Sequence, residues 1–193
     1  MKRVCVFCGS SSGANPLYVD AARLMGRTLA RRGIGVVYGG GGVGLMAAVA
    51  DAALEEGGQV IGVIPRALQL RELAHSGLTA LHVVGSMHER KAKMAELAQG
   101  FVALPGGMGT LEEFAEILTW AQLGLHERPC GLLDVAGYYR PLVSFFDHAT
   151  VEGFLKPEHR KLVLVADDPD ALVDQFLAWE PPRLQKWIDG RTS

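Results

Sequence analysis

Phe101-Val102-Ala103-Leu104-Pro105-Gly106-Gly107-Met108-Gly109-Thr110-Leu111-Glu112-Glu113 joins a four-residue apolar run, a glycine-rich turn and the front of a helical pattern. A short apolar run bounded by Pro and Gly reads as a buried strand. The apolar residues Leu111, Phe114, Ala115, Ile117, Leu118, Trp120 and Ala121 predict a helix to about residue 123. Between them, two glycines let the main chain pass close to a ligand. Thr110 is the expected helix cap, and Glu113 three residues later would complete a capping box.

The same strand–turn–helix unit repeats in both directions. Strands are expected over 4–8, 34–38, 59–64, 79–84, 101–104, 130–134 and 162–165. Helices are expected from Pro16 to Gly33, to about 56, from a Ser86 cap to about 99, to about 123, and near 139–152 and 169–179. Leu17, Ala21, Leu24, Thr28 and Leu29 mark the inner face of the first helix, and Pro65 is expected to stop the third strand. Apolar strands alternating with helices mean a mainly parallel sheet covered on both faces. The reading is an α/β chain of one doubly wound, Rossmann-like domain over 1–193, with 180–193 as a C-terminal arm that Trp179 and Trp187 would help to dock. Ligands of such sheets bind beyond the carboxyl ends of the strands. Here the ends of strands one, two and five all carry Gly- or Ser-rich turns.

Composition narrows the function. The 193 residues carry 19 Lys+Arg against 21 Asp+Glu, a net charge of −2, which argues against bulk binding to nucleic acid or an anionic membrane. No run approaches the ~20 apolar residues of a membrane span, and Lys2-Arg3 with five apolar residues is too short for a signal-peptide core. Three cysteines exclude a disulfide scaffold and suit a reducing cytoplasm. Cys5 and Cys8 lie three apart on a strand, so they point to opposite faces as small buried hydrophobes rather than as a redox pair.

Gly39, Gly41 and Gly44 match G-x-G-x-x-G, but the motif follows the second strand and no acid stands at the end of the third to hold a ribose. A Walker sequence is absent. The turn over 105–110 is the sharper signal: a helix N-terminus behind it offers unpaired N–H groups and partial positive charge to a phosphate.

Two charges stand out of place. On a helical wheel Glu112, Glu116 and Thr119 share the polar arc, whereas Glu113 falls between Ile117 and Trp120. In the preceding helix Met87, Met94 and Leu97 form an apolar line, and Arg90 sits on it. A charge on a buried stripe needs a partner. A structural ion pair and a pocket with an acid/base carboxylate fit the spacing equally.

Larger segments resemble the Lonely Guy family, cytokinin riboside 5′-monophosphate phosphoribohydrolases long labelled possible lysine decarboxylases. They include Phe7-Cys8-Gly9-Ser10-Ser11, Tyr38-Gly39-Gly40-Gly41, Met87-His88-Glu89-Arg90-Lys91-Ala92-Lys93-Met94, Pro105-Gly106-Gly107-Met108-Gly109-Thr110-Leu111-Glu112-Glu113 and Gly137-Tyr138-Tyr139. The resemblance implies hydrolysis of the N-glycosidic bond of an adenosine 5′-monophosphate, N6-prenylated or plain, to free base and ribose 5-phosphate. It implies a homodimer with a small-molecule nucleotide as partner, and no cofactor is expected. It makes Arg90 and Glu113 catalytic. It places substrate contacts at Glu72, Lys91 and the turn over 106–112, with Gly106, Gly107, Gly109, Thr110 and Glu112; Gly9, Ser10, Ser11, Gly40, Gly41 and Met87 are further candidate contacts, Ser10 or Ser11 for the 5′-phosphate. Gln99-Gly100 and Ala74-His75-Ser76 depart from the family pattern, the first at a local hydrogen bond and the second near the region expected to shape the N6 pocket.

Other chemistries find less support. His88-Glu89 begins like a zincin motif, but position 92 is Ala, and no metal site is expected. Lys91 and Lys93 lack a pyridoxal-phosphate context beyond a phosphate seat. The alternative of a different class is a non-catalytic nucleotide-binding or carrier module of the same fold.

Overall fold

A computed structural model of the protein describes residues 1–69 and 74–182. Its elements run β1 (Arg3–Phe7), α1 (Leu17–Arg31), β2 (Gly35–Tyr38), α2 (Gly44–Glu55), β3 (Val60–Pro65), α3 (Arg66–Gln69), β4 (Ala80–Val84), α4 (Met87–Leu97), β5 (Phe101–Ala103), α5 (Met108–Leu123), β6 (Cys130–Leu133), a 3-10 turn (Val135–Gly137), α6 (Arg140–Val151), α7 (Pro157–Arg160), β7 (Val163–Ala166) and α8 (Pro169–Leu177). The strands form one sheet in the order β4-β3-β2-β1-β5-β6-β7, and every neighbouring pair is parallel. The alternation of apolar strands and helices thus gives the α/β sheet expected of it.

The chain lays down β1 to β4 in one direction, then crosses back to place β5 on the other flank of β1. Cys5 therefore pairs in register with Val37 on one side and with Phe101 on the other. This reversal between β1 and β5 is the switch point, where the loops of the two strands diverge and leave a crevice.

Side-chain alternation divides the interior into two cores. Val4, Val6, Val36 and Tyr38 pack with Met25 and Leu29 of α1, Val49 of α2 and Leu172 of α8. Cys5, Phe7, Val37 and Phe101 pack on the other face with Met94 of α4 and Phe114 and Ile117 of α5. Cys8 belongs to the first core and Cys5 to the second, as their spacing requires.

Three expectations need correction. The inner face of α1 holds Ala22, Met25, Gly26, Thr28 and Leu29, while Leu17 and Leu24 are exposed. The reason is close contact with α2: a Cβ on Gly26 would collide with the Val49 carbonyl, so the helices meet at Gly26 and the contact face is rotated toward it. Pro65 ends β3 as its last paired residue, opposite Val84. The β2 ladder has already ended at Gly62, so β3 has a single neighbour there and a missing N–H is tolerated. Thr110 does not cap α5. The helix starts at Met108 with Gly107 at its N-cap and no side-chain cap, so Glu113 is no capping-box partner and lies more than a turn inside the helix.

Ser86 does cap α4, its hydroxyl accepting from the Glu89 N–H at 3.1 Å. Gln99 carries a local hydrogen bond of its own: its Oε1 accepts from the N–H groups of Lys2 and Arg3 at the head of β1. Trp179 donates its indole N–H to the Glu127 carbonyl, while Trp187 and the rest of the arm from 183 lie outside the described residues. Among the described residues no helix is long and apolar enough to cross a membrane.

Candidate active site

The turns after β1, β2 and β5 are tied together by main chain at the switch point. Gly9 N–H donates to the Pro105 carbonyl at 3.1 Å, and Leu45 N–H donates to the Gly9 carbonyl at 3.1 Å. The β6 end buttresses the same turn: Tyr139 donates its hydroxyl to the Leu104 carbonyl at 2.6 Å and Tyr138 to the Gly106 carbonyl at 2.5 Å. Burial pushes the Tyr139 phenol far above its ordinary pKa, so it remains a donor. Carbonyls thus point into protein, and the N–H groups of Met108, Gly109 and Thr110, in the first turn of α5, have no acceptor within the helix.

The glycines here differ in their reasons. A Cβ on Gly106 would meet the Thr110 side chain and the Gly9 main chain, so close packing requires that glycine. A Cβ on Gly107 or Gly109 would meet nothing within 4 Å. These two leave open space in front of the helix rather than relieve a clash.

That space is a cavity of about 310 Å³ lined by Cys8, Gly9, Ser10, Met46, Met87, Arg90, Gly107, Met108, Gly109, Thr110, Glu112 and Glu113. Seven of these twelve come from the segment 107–113 and from Arg90. Arg90 and Glu113 are each 8% exposed, and Arg90 Nη1 lies 2.9 Å from Glu113 Oε1. Arg90 Nε also donates to the Val63 carbonyl at 3.1 Å. The guanidinium reaches this position because residue 39 is glycine: a Cβ there would collide with Arg90 Nη2. Two oppositely charged groups from different helices therefore face one cavity, and each satisfies the burial cost of the other.

Lys91 does not line the cavity. Its ammonium donates to Glu112 Oε1 at 2.6 Å and lies 3.1 Å from Glu116 Oε2, without hydrogen-bond alignment to the latter. The bond to Glu112 raises the Lys91 pKa above the ordinary lysine value. Lys91 thereby holds Glu112, which does line the cavity. Cys8 lines it too, but burial, reinforced by the Glu113 charge, keeps its thiol protonated and a poor nucleophile.

Ser11 and Gly106 line an adjoining hollow of about 290 Å³ with Tyr18, Leu45 and Tyr138, and Gly9, Ser10 and Gly107 border both spaces. Gly40 and Gly41 line neither. They belong to the β2–α2 turn, where Gly41 bridges to Ala74 and the Gly40 carbonyl accepts from the His75 N–H. His75 further pairs with Asp51 at 2.7 Å, which shows what the unusual Ala74-His75-Ser76 segment does: it clips its loop onto α2. Glu72 lies outside the described residues.

Four contributors escaped the sequence reading: Gly39, Met46, Met108 and the two-tyrosine buttress. Gly39 sits in a run of four glycines, where no pattern tells which one abuts a side chain. Met46 and Met108 carry no charge and no spacing that marks them in the sequence. Among the described residues no group of three His, Cys, Asp or Glu side chains gathers as metal ligands would.

Comparison with known proteins shows the family and the fold. The family model for possible lysine decarboxylase matches residues 46–176. A cytokinin riboside 5′-monophosphate phosphoribohydrolase of Rhodococcoides fascians is 53% identical over 89% of this chain and 87% of its own. One of Arabidopsis thaliana is 50% identical over 93% of this chain and 83% of its own. Among solved structures, the Moco carrier protein of Chlamydomonas reinhardtii superposes with a TM-score of 0.70 at 26% identity, covering 92% of this chain and 98% of that one. The molybdenum cofactor binding protein of Rippkaea orientalis gives 0.70 at 21% identity over 92% and 97%, a likeness of fold.

Proposed function

The chain belongs to the family described as possible lysine decarboxylase, whose curated relatives are cytokinin riboside 5′-monophosphate phosphoribohydrolases, and from that premise we propose how its cavity performs their reaction. The chain is a hydrolase of the N-glycosidic bond of a riboside 5′-monophosphate, releasing free base and ribose 5-phosphate. Plain AMP is proposed as a second substrate, and a cytoplasmic homodimer as the working form. The whole chain is proposed to act as one nucleotide-binding unit.

The observation that carries the mechanism is the buried Arg90–Glu113 pair facing a cavity beside the front of α5. The 5′-phosphate is assigned to the N–H groups of residues 108–110 and to Ser10, where the helix dipole favours an anion. Gly107 and Gly109 leave the room it needs. Glu112, held by Lys91, is assigned the ribose hydroxyls. Breaking the bond from ribose C1′ to the base nitrogen leaves positive charge on the sugar and negative charge on the base. The Glu113 carboxylate faces that developing cation and takes a proton from the attacking water, whose oxygen bonds to C1′. The proton then passes to the departing base, which leaves neutral. Arg90 fixes the carboxylate's direction and balances its charge at the buried end of the cavity.

The family description also implies pyridoxal-phosphate chemistry, and the residues do not fit it. A lysine that binds that cofactor must give up its proton, whereas Lys91 is held charged between two carboxylates and Lys93 is paired with Glu96. The carrier alternative draws on the Moco carrier fold likeness at 26% identity. A carrier has little use for a carboxylate locked against an arginine beside an anion seat.

The test is incubation of purified protein with AMP and with isopentenyladenosine monophosphate, with and without EDTA, followed by chromatography of free base. Release of base from the isopentenyl nucleotide, unaffected by EDTA, is expected. Binding without release would favour the carrier.

A further inference from the structure

Three of the six methionines of the chain line the one cavity that holds Arg90 and Glu113. Met46 comes from α2, and Met87 and Met108 are the first residues of α4 and α5. Their exposure is graded from 6% at Met46 through 42% at Met87 to 81% at Met108. None of their side chains can serve a phosphate or a sugar hydroxyl, since a thioether is a weak acceptor and donates nothing. Thioethers do suit flat aromatic and alkyl groups, because the side chain is unbranched, polarizable and able to conform to what it touches. Met108 also has the wrong exposure for a packing residue: it projects apolar surface into water at the mouth of a site, between two glycines with open space around them. Apolar surface placed there is gained back from water only when a ligand extends over it.

We propose that Met46, Met87 and Met108 form the wall that receives the base, and that Met108 is a specificity-determining residue favouring an apolar substituent on the exocyclic N6 over a bare amine. The inference rests on the nucleotide reading above and deepens it. The buried end, at Met46, faces the ring, and the exposed end, at Met108, is reached only by a ligand that continues beyond the ring. Plain AMP leaves Met108 in water, whereas an alkylated N6 covers it.

The experiment compares the wild type with Met108→Gln, of similar length but polar, and Met108→Leu, which restores an apolar side chain. For each, kcat/KM is measured with isopentenyladenosine monophosphate and with AMP, and the oligomeric state is checked by sedimentation. Met108→Gln is expected to lower the ratio of the two kcat/KM values by about tenfold, the scale of a small apolar contact in a pocket. Met108→Leu should keep most of the wild-type ratio. A ratio in Met108→Gln close to that of wild type overturns the inference, as does an equal loss on both nucleotides. A changed oligomeric state with the ratio unmoved assigns Met108 to a contact between copies and also overturns it. If the wild type releases base from neither nucleotide, the hydrolase reading falls instead. The inference on Met108 is then decided by calorimetric affinities for the same two nucleotides, where the same drop in ratio is expected.

Discussion

Arg90 and Glu113 cannot be removed independently, because each leaves the other as a buried uncompensated charge. Breaking such a pair costs about 3–5 kcal/mol when one partner is truncated. Glu113→Gln is milder, since the amide keeps its size and one acceptor for Arg90. This variant should bind ribose 5-phosphate nearly as well as the wild type by calorimetry, yet turn over at least ~10²-fold more slowly. A folded variant with near-normal turnover would remove Glu113 from the chemistry. The pair was legible in the sequence because a charge on an apolar helical arc is an anomaly that demands a partner. What the sequence could not convey is how Arg90 gets there. That depends on the absence of a Cβ at Gly39, and a steric vacancy leaves no trace in a hydrophobic pattern.

At the scale of elements, the turn into α5 divides its glycines between packing and open space. Gly107→Ala should therefore fold with an unchanged melting temperature, while the methyl group crowds the anion seat. A rise in KM of about tenfold or more, with kcat less affected, is expected from steady-state rates, as for lost ground-state binding. An unchanged KM would detach the phosphate from this turn. Thr110 was misread as a cap because it is the first residue of the turn with a capping side chain. The true N-cap is a glycine with nothing to offer, as befits a helix whose first residues line a cavity. The other end of α5 carries a titration. Gly124 takes the left-handed conformation that ends the helix, and His126 folds back so that its Nε2–H donates to the Ile117 carbonyl while Nδ1 accepts from the Arg128 N–H. Both nitrogens are thus satisfied by the neutral ring, and burial lowers the His126 pKa below the usual imidazole value. Above that usual value neither state is charged and His126 adds no pH dependence. As pH falls below it, the unfolded chain takes a proton that the folded ring refuses, so stability is lost until the lowered folded value is reached. Urea titrations from about pH 7 down to about pH 5 should show a shallower decline in unfolding free energy for His126→Gln than for the wild type. Identical slopes would sink this assignment.

Across the molecule, the two cores share a single sheet, so neither can be lost without exposing the other's strands. Urea unfolding followed by tryptophan fluorescence and by far-UV circular dichroism should give coincident transitions, and ribose 5-phosphate at 100 times its Kd should add about 2.7 kcal/mol. Separated transitions would mean that the cores fold apart. The alternation of strands and helices announced a parallel sheet and its covered faces. It did not announce the strand order, because the crossing from β4 back to β5 depends on which edge the chain joins, and alternation alone does not choose between β1 and β4. The rotated face of α1 was hidden for a related reason: a single glycine set the contact with α2 against the run of leucines. The seat at the switch point is built from amides and carbonyls of three turns, with tyrosines behind them. A foundation of peptide groups survives replacements around it that leave the close-packed Gly39 and Gly106 in place. Descendants of this architecture can exchange their rims and try new cargoes without ever loosening the handle, which makes the scaffold a promising chassis for enzymes that strip other heterocycles from the same sugar.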